Sequence, residues 1–349
     1  MVALYITSTE SSGKTALCAA LGRKLIQRGA KVGYMIPVKV VESDKDEGCP
    51  DADFIKDVLK LTEANEAVCP IKLSREELSK RLTTGSDKLS QDIKSEYQKI
   101  ARGKDIVLME GLGNVSTKVS TSACYTVADT VGADVIVVLN YPVSSDLPHV
   151  VQMSKKVKLI GVVANLLPQS KIEKVKQQIT DVLDKGGIKL LGAVPEIRGA
   201  LGVTVLELAQ VLGGEILSSP DRSGEIIENV MVGAMTVDSG LTYFNRKENK
   251  AVVIRSERSD MQLAALQTPL KCLILTNGGK PLPAIVLQAQ EKQVPIVSVK
   301  LDTASAIAGI EKALAETSFR NTRKLEMFER VLDSCFDFEA LYSRLGLKL

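Results

Sequence analysis

An α/β fold is what this sequence predicts: a parallel sheet with helices on both faces, followed by a second, smaller α/β domain. Segments of strand length alternate with segments of helical periodicity along nearly the whole chain. The strand-length runs are unbroken Val/Ile/Leu stretches rather than alternating ones, which fits strands buried on both faces. A third observation marks the working edge of the sheet. The first run, Leu4 to Ile6, passes through Thr7-Ser8-Thr9-Glu10-Ser11-Ser12-Gly13-Lys14-Thr15 into the helical stretch Ala16 to Leu21.

A strand, a tight turn and a helix in that order aim successive backbone N–H groups and the positive helix end at an anion. Gly13 lets the backbone come close, Lys14 reaches terminal phosphates, and the Thr15 hydroxyl suits Mg²⁺. The phosphate-loop pattern G-x-x-x-x-G-K-[ST] puts its first glycine on Ser8, so the turn must form there without it. The bland alternative is a helix N-cap followed by an ordinary first-turn lysine.

The remaining elements follow in order. Leu17, Leu21 and Leu25 repeat at helical spacing and stop near Arg28-Gly29; Val32 to Ile36 is a strand ended by Pro37. The acidic, glycine-containing segment Glu42 to Pro50 reads as a mobile loop. Helices are expected over Asp53–Leu61, Leu73–Leu82 and Gln91–Arg102, then a strand from Asp105 ending at Glu110-Gly111. Helix Thr121–Val131, strands Asp134–Asn140 and Leu159–Asn165, helix Ile172–Leu183 and strand Leu190–Val194 complete the first domain. The second domain repeats the alternation. Helices fall at Thr204–Leu212, Asp260–Leu266, Ala284–Lys292 and Thr303–Ala315, and strands at Ala251–Ile254, Cys272–Leu275 and Ile296–Val299. The boundaries are placed at 1–198 and 199–320, leaving 321–349 as a helical extension that caps the second domain or meets a partner.

Composition narrows the function classes. A formal charge of +3 over 349 residues, without long like-charge blocks, argues against a nucleic-acid or membrane surface. Tryptophan is absent and aromatics make up 4%, which leaves few platforms for stacking single-stranded bases. Six cysteines lie far apart without a C-x-x-C pair, and His149 is the one histidine, so a Cys/His zinc site is not expected. Cys18, Cys124 and Cys272 sit in apolar contexts and read as buried thiols. The N-terminus enters a strand without a basic leader, and no apolar run approaches membrane length; a cytoplasmic location is expected.

Glu110 ends a buried strand, where ligands of open α/β sheets gather, and could hold a metal opposite the phosphate turn. Asp51 and Asp53 open a helix and are either metal-facing or first-turn acids that complement the helix dipole. Asn165, at another strand end, either reads a nucleobase edge or caps a loop. Three polar clusters of the second domain, 221–224, 255–260 and 277–279, sit at strand–helix junctions. They read as turn and capping chemistry or as a site for an anionic small molecule.

These residues carry a family resemblance. Met1 to Glu196 resembles the dethiobiotin synthetase-like P-loop NTPase-type domain, through Thr9–Thr15, Gly33-Tyr34-Met35-Ile36-Pro37-Val38, Met109-Glu110-Gly111, Gly161–Asn165 and Val194-Pro195. Residues 200–314 resemble the DRTGG domain that follows it in long bacterial phosphotransacetylases, through Val230–Met235, Arg258-Ser259-Asp260 and Leu275–Gly279. The resemblance implies ATP and Mg²⁺. The nucleotide would be held by Thr9, Glu10, Ser11, Ser12, Gly13, Lys14, Thr15 and Ala16, with Asn165 toward the adenine. Thr15, Asp51 and Glu110 would face the metal, and Lys14 and Glu110 would carry any catalysis.

Two departures shape the expectation. Ile36 stands where dethiobiotin synthetases have a substrate-holding lysine, with Lys39 three residues on, and the chain ends where phosphotransacetylases begin their acyl-transfer domain. The expected protein is therefore an ATP-responsive regulator without acetyl transfer. Its second domain would oligomerise the chain or sense a second small molecule. The alternative is an ATP-dependent ligase acting on a carboxylate or carbamate.

Overall fold

The computed structural model describes residues 1–8, 13–42, 48–83, 87–113, 115–143, 146–315 and 317–347. The chain divides into two compact units, Met1–Ile197 with Phe319–Leu349, and Arg198–Ser318.

The first unit runs β1 (Val2–Ser8), α1 (Lys14–Gln27), β2 (Val32–Met35), β3 (Val38–Val40), α2 (Pro50–Leu59), α3 (Asn65–Val68), β4 (Ile71–Leu73), α4 (Arg75–Thr83) and α5 (Asp87–Ala101). It continues with β5 (Ile106–Glu110), α6 (Thr117–Val131), β6 (Asp134–Asn140), α7 (Leu147–Met153), β7 (Leu159–Leu167), α8 (Ile172–Leu183) and β8 (Leu190–Pro195). The main sheet has the order β2-β5-β1-β6-β7-β8, with every pairing parallel. Its strands are buried almost end to end, as their unbroken apolar runs predict. β1 lies centrally, and the chain goes to opposite sides of it through β5 and β6. That switch in direction opens a crevice at the carboxyl ends of β1, β5 and β6.

Several elements escape the sequence pattern. Leu73, expected in a helix, ends β4, which pairs with β3 as a separate parallel ribbon, and the helix begins at Arg75. Three-residue strands show no period to read. α2 begins at Pro50 rather than Asp53, because proline at the first helical position has its φ already set and lacks only an N–H that needs no partner there. Residues 43–47, most of the segment expected to be mobile, lie outside the described residues.

The second unit runs α9 (Arg198–Leu201), β9 (Val203–Thr204), α10 (Val205–Val211), β10 (Glu215–Ser218), β11 (Ile226–Ile227), β12 (Asn229–Val232) and α11 (Val237–Phe244). It ends with β13 (Lys250–Arg255), α12 (Ser259–Leu266), β14 (Cys272–Thr276), α13 (Pro283–Glu291), β15 (Ile296–Ser298) and α14 (Thr303–Ala315). Its sheet has the order β10-β15-β14-β13-β12, parallel except for the edge strand β10. Alternate residues of β13 and β14 serve two cores. Ala251, Val253, Cys272 and Ile274 join one, and Val252, Ile254, Leu273 and Leu275 the other. α10 starts with a capping box in which the Glu207 N–H donates to Thr204 Oγ1 at 3.1 Å and the Thr204 N–H donates to Glu207 Oε2 at 2.7 Å.

The chain then returns to the first unit as α15 (Thr322–Cys335) and α16 (Phe338–Leu345). These helices belong to the first unit. Leu325, Phe328, Leu332, Phe336 and Leu341 are buried in the core of the first unit. The Asp337 N–H donates to Leu191 O at 2.7 Å, and Arg23–Glu329 at 3.2 Å and Lys24–Asp333 at 2.5 Å tie α15 to α1. The apolar face seen in the sequence is thus spent inside the fold. Each buried leucine or phenylalanine there stabilises by about 1.5–3 kcal/mol. Among the described residues no helix is long and apolar enough to cross a membrane.

Candidate functional site

The site is assembled where β1 hands over to α1. Gly13 precedes the helix with φ 80° and ψ 27°, a left-handed conformation that suits glycine, and Leu17 N–H closes the first turn on Gly13 O at 3.0 Å. A Cβ at position 13 would stand 2.8 Å from Asn165 Nδ2, so Gly13 lies close to that side chain of β7. Asn165 is itself buried.

Lys14 begins α1 with a side chain only 5% exposed, and its ammonium donates to Ser8 Oγ at 2.8 Å. The serine that replaces the first glycine of the phosphate-loop pattern therefore holds the lysine head. Ser8 is fixed in turn, since its carbonyl accepts from Ser120 Oγ at 2.9 Å. Thr15 lies one residue on, and its hydroxyl donates to Glu110 Oε1 at 2.6 Å. Ala16, the next residue of α1, is buried.

Glu110 ends β5 and is 5% exposed, so it does not face solvent. Its second oxygen accepts from the Tyr34 hydroxyl at 2.7 Å, which comes from the neighbouring strand β2. Burial pushes the Glu110 carboxyl above the ordinary carboxylate range, and the bonds from Thr15 and Tyr34 only partly offset it. Burial likewise draws the Lys14 ammonium below its ordinary value against the pull of Glu110. A cation and a carboxylate are thus held in a poorly solvated crevice, each under electrostatic pressure to lose its charge.

Asp51 acts through its charge on both Lys14 and Glu110, but its carboxylate pairs with Arg320 at 3.1 Å. Asp53 accepts from Asn65 Nδ2 at 2.9 Å. Thr9, Glu10, Ser11 and Ser12, expected to line the phosphates, lie outside the described residues. The sequence reading did not single out Tyr34, Ser120 or Arg320. Tyr34 has a signal in retrospect: a hydroxyl inside an otherwise apolar strand needs a buried partner. Ser120 and Arg320 had none, because their contacts span 112 and 269 residues of chain.

The arrangement defines a class, the P-loop α/β proteins. More narrowly, the AAA domain family matches residues 2–201, more than half of the chain, and the chain belongs to that family. The DRTGG domain matches residues 207–313, so a dethiobiotin synthetase-like P-loop domain is followed by a DRTGG domain. The phosphate acetyltransferase of Pseudomonas putida is 24% identical over 375 residues, covering 99% of this chain and 52% of the relative. The ATP-dependent dethiobiotin synthetase BioD of Methanococcus vannielii is 24% identical over 203 residues, covering 55% of this chain and 92% of the relative. The chain thus spans about half the length of the phosphate acetyltransferases it matches. Among solved structures, the CBS and DRTGG domains of the regulatory region of Clostridium perfringens pyrophosphatase are 20% identical, with a TM-score of 0.29. That match covers 43% of this chain and 73% of the other.

Proposed function

We propose that this protein binds ATP with Mg²⁺ at the β1–α1 turn and acts as a nucleotide-responsive regulator. In this reading the DRTGG unit oligomerises the chain or senses a second small molecule. The observation that carries the reading is the pairing of buried Lys14 and Glu110 with Ser8 and Thr15 at a helix start preceded by a left-handed glycine. Lys14 would turn from Ser8 to the terminal phosphates, whose negative charge would complement its buried ammonium. The helix N-terminus and the turn's backbone N–H groups would hold the remaining phosphate oxygens.

The donor set also fits magnesium. Mg²⁺ keeps several waters and takes one or two protein oxygens beside the phosphates, so a hydroxyl and one carboxylate suffice. Thr15 and Glu110 would hold the ion, which supplies charge neutralisation for the triphosphate. Asp51 adds negative potential from a distance while Arg320 holds its carboxylate. Asn165, already against the phosphate turn, would set the position of the base.

The ligase reading has less support. Ile36 is buried, and Lys39 donates to Gly48 O at 2.6 Å, so neither offers an ammonium in place of the missing substrate-holding lysine. Isothermal titration with ATP–Mg²⁺ tests the proposal: wild type should bind and Lys14→Ala should not. Equal heats from both proteins would overturn it. A slow ATPase indifferent to added carboxylates is expected, whereas ADP release that rises only with a diamine or carboxylate substrate would move the assignment to a ligase.

A further inference from the structure

A cavity of about 520 Å³ lies in the first unit between α1, α2 and the segment that leads into α15. Its walls follow from local sequence. Gly22 lets α1 and α2 approach closely, since a Cβ there would stand 2.6 Å from Leu59 Cδ1. α2 stops at Lys60, whose left-handed φ of 53° lets the Leu61 N–H close on Lys56 O at 2.9 Å. Asn321 caps α15, its Oδ1 accepting from the Arg323 N–H at 2.9 Å, which sets Arg320 just ahead of the helix. The lining has two characters. Phe54 and Val58 of α2 are half-buried and Ile26 of α1 is 40% exposed, so the apolar wall is left uncovered. Arg23, Lys60 and Arg320 bring cations from three segments, against the one carboxylate, Asp57, that lines the cavity among the described residues. Arg23 pairs with Glu329 at 3.2 Å and Arg320 with Asp51 at 3.1 Å. Both guanidiniums line the cavity, and neither of those two carboxylates does.

We propose that this cavity binds a small amphipathic organic anion, its head held by Arg23, Lys60 and Arg320 and its apolar body laid against Ile26, Phe54 and Val58. The volume falls within the roughly 300–1,000 Å³ of small-molecule sites. A planar guanidinium fork matches the oxygens of a carboxylate, sulfonate or phosphate head, and charge assistance makes those bonds strong ones. The apolar body covers surface that otherwise faces water, which adds a non-directional gain. The ion pairs already present do not shut the head out. Both are partly exposed, where such pairs are weak, so the head competes with Asp51 for Arg320. The site stands apart from the nucleotide reading: Arg23 lies nine residues beyond Lys14 on α1, about 14 Å along the helix axis. The sequence hides it because its residues come from the end of one helix, the whole of a second and a segment some 260 residues further on.

The test is fluorescence titration of the full chain with 1-anilinonaphthalene-8-sulfonate, whose emission rises as it leaves water; the chain has no tryptophan to interfere. Wild type should bind the probe saturably. The neutral N-phenyl-1-naphthylamine, the same rings without the sulfonate, should bind at least about tenfold more weakly. Arg320→Gln should weaken the sulfonate by at least about tenfold as well. Lys60→Asn removes a cation with a residue that tolerates the left-handed backbone, and should weaken it severalfold even if the arginine variant fails to fold. Asp51→Asn removes the competitor for Arg320 and should tighten the sulfonate severalfold at an unchanged Tm and stoichiometry. Equal affinity for the two probes, binding that is indifferent to Arg320→Gln and Lys60→Asn, or an Asp51→Asn protein that binds no tighter would each overturn the proposal.

Discussion

The two units carry the same kind of edge, the carboxyl ends of parallel strands, and treat charge there in opposite ways. In the first, Lys14 and Glu110 are buried, and hydroxyls of Ser8, Thr15 and Tyr34 bond to them. In the second, Arg258 clasps Asp260 with two bonds of 2.9 Å, and Arg255 pairs with Glu257 at 3.4 Å, all at the surface. Arg258 holds the Asp260 carboxyl below the ordinary range, whereas burial drives Glu110 above it. Charges that cancel locally in water ask little of a ligand. Charges taken out of water without full pairing cost several kcal/mol, and an incoming group of the right sign relieves that cost. The first edge thus keeps its charges away from water, whereas the second pairs its charges at the surface.

The largest break of this contrast is expected from Lys14→Ala. Removing this buried cation should weaken ATP–Mg²⁺ binding at least about 100-fold, or roughly 3 kcal/mol, measured by titration calorimetry. Next comes Gly13→Ala. The left-handed φ of 80° and the 2.8 Å approach to Asn165 Nδ2 penalise a methyl twice, so a loss of about 1–3 kcal/mol in urea unfolding is expected, with nucleotide affinity falling about tenfold. Gly278→Ala at the second edge is the matched control. Its φ is 67°, but the nearest atoms lie 3.6 Å away, so only the conformational cost of about 1–2 kcal/mol applies. Equal losses at the two glycines would remove the case for a tight approach of Gly13 to Asn165.

A smaller effect separates the edges by sign. Glu110 has a folded value above its unfolded one, so the stability it contributes is full below the ordinary carboxylate range and is lost as pH rises through the folded value. Glutamine cannot ionise. The stability of Glu110→Gln relative to wild type, without nucleotide, should therefore climb with pH across that window and then level off. Urea unfolding at a series of pH values reads it directly. A relative stability that falls with pH would mean that the carboxylate is well compensated, and the contrast between the edges would fail.

The local part of the first edge was legible in the sequence. The strand–turn–helix, Lys14, Thr15 and the strand-end Glu110 are local patterns, readable because period and spacing report local geometry. Much of what surrounds them was not. Arg320 reaches Asp51 across most of the chain, and α15 and α16 return to the first unit after the second is complete. An amphipathic helix announces that one face will be covered but not by what. The edge strand β10 and the β3–β4 ribbon were missed because short strands have no period and draw their partners from distant sequence.

The smallest expected effect tests the second edge. Asp260→Asn removes one partner of an exposed, bidentate pair, and Arg258 keeps its bond to Met235 O at 3.1 Å. Because the Asp260 carboxyl sits below its ordinary value, its contribution is present at neutral pH and lost as pH falls through the folded value, the reverse of Glu110. Water and salt screen such a pair, so Tm at pH 7 should drop by no more than about 2 °C, and less in 1 M salt. A large, salt-resistant drop would show that Arg258 depends on Asp260 to hold the strand ends together. The second edge would then hold strained charge as the first does, and it would become a candidate site in its own right.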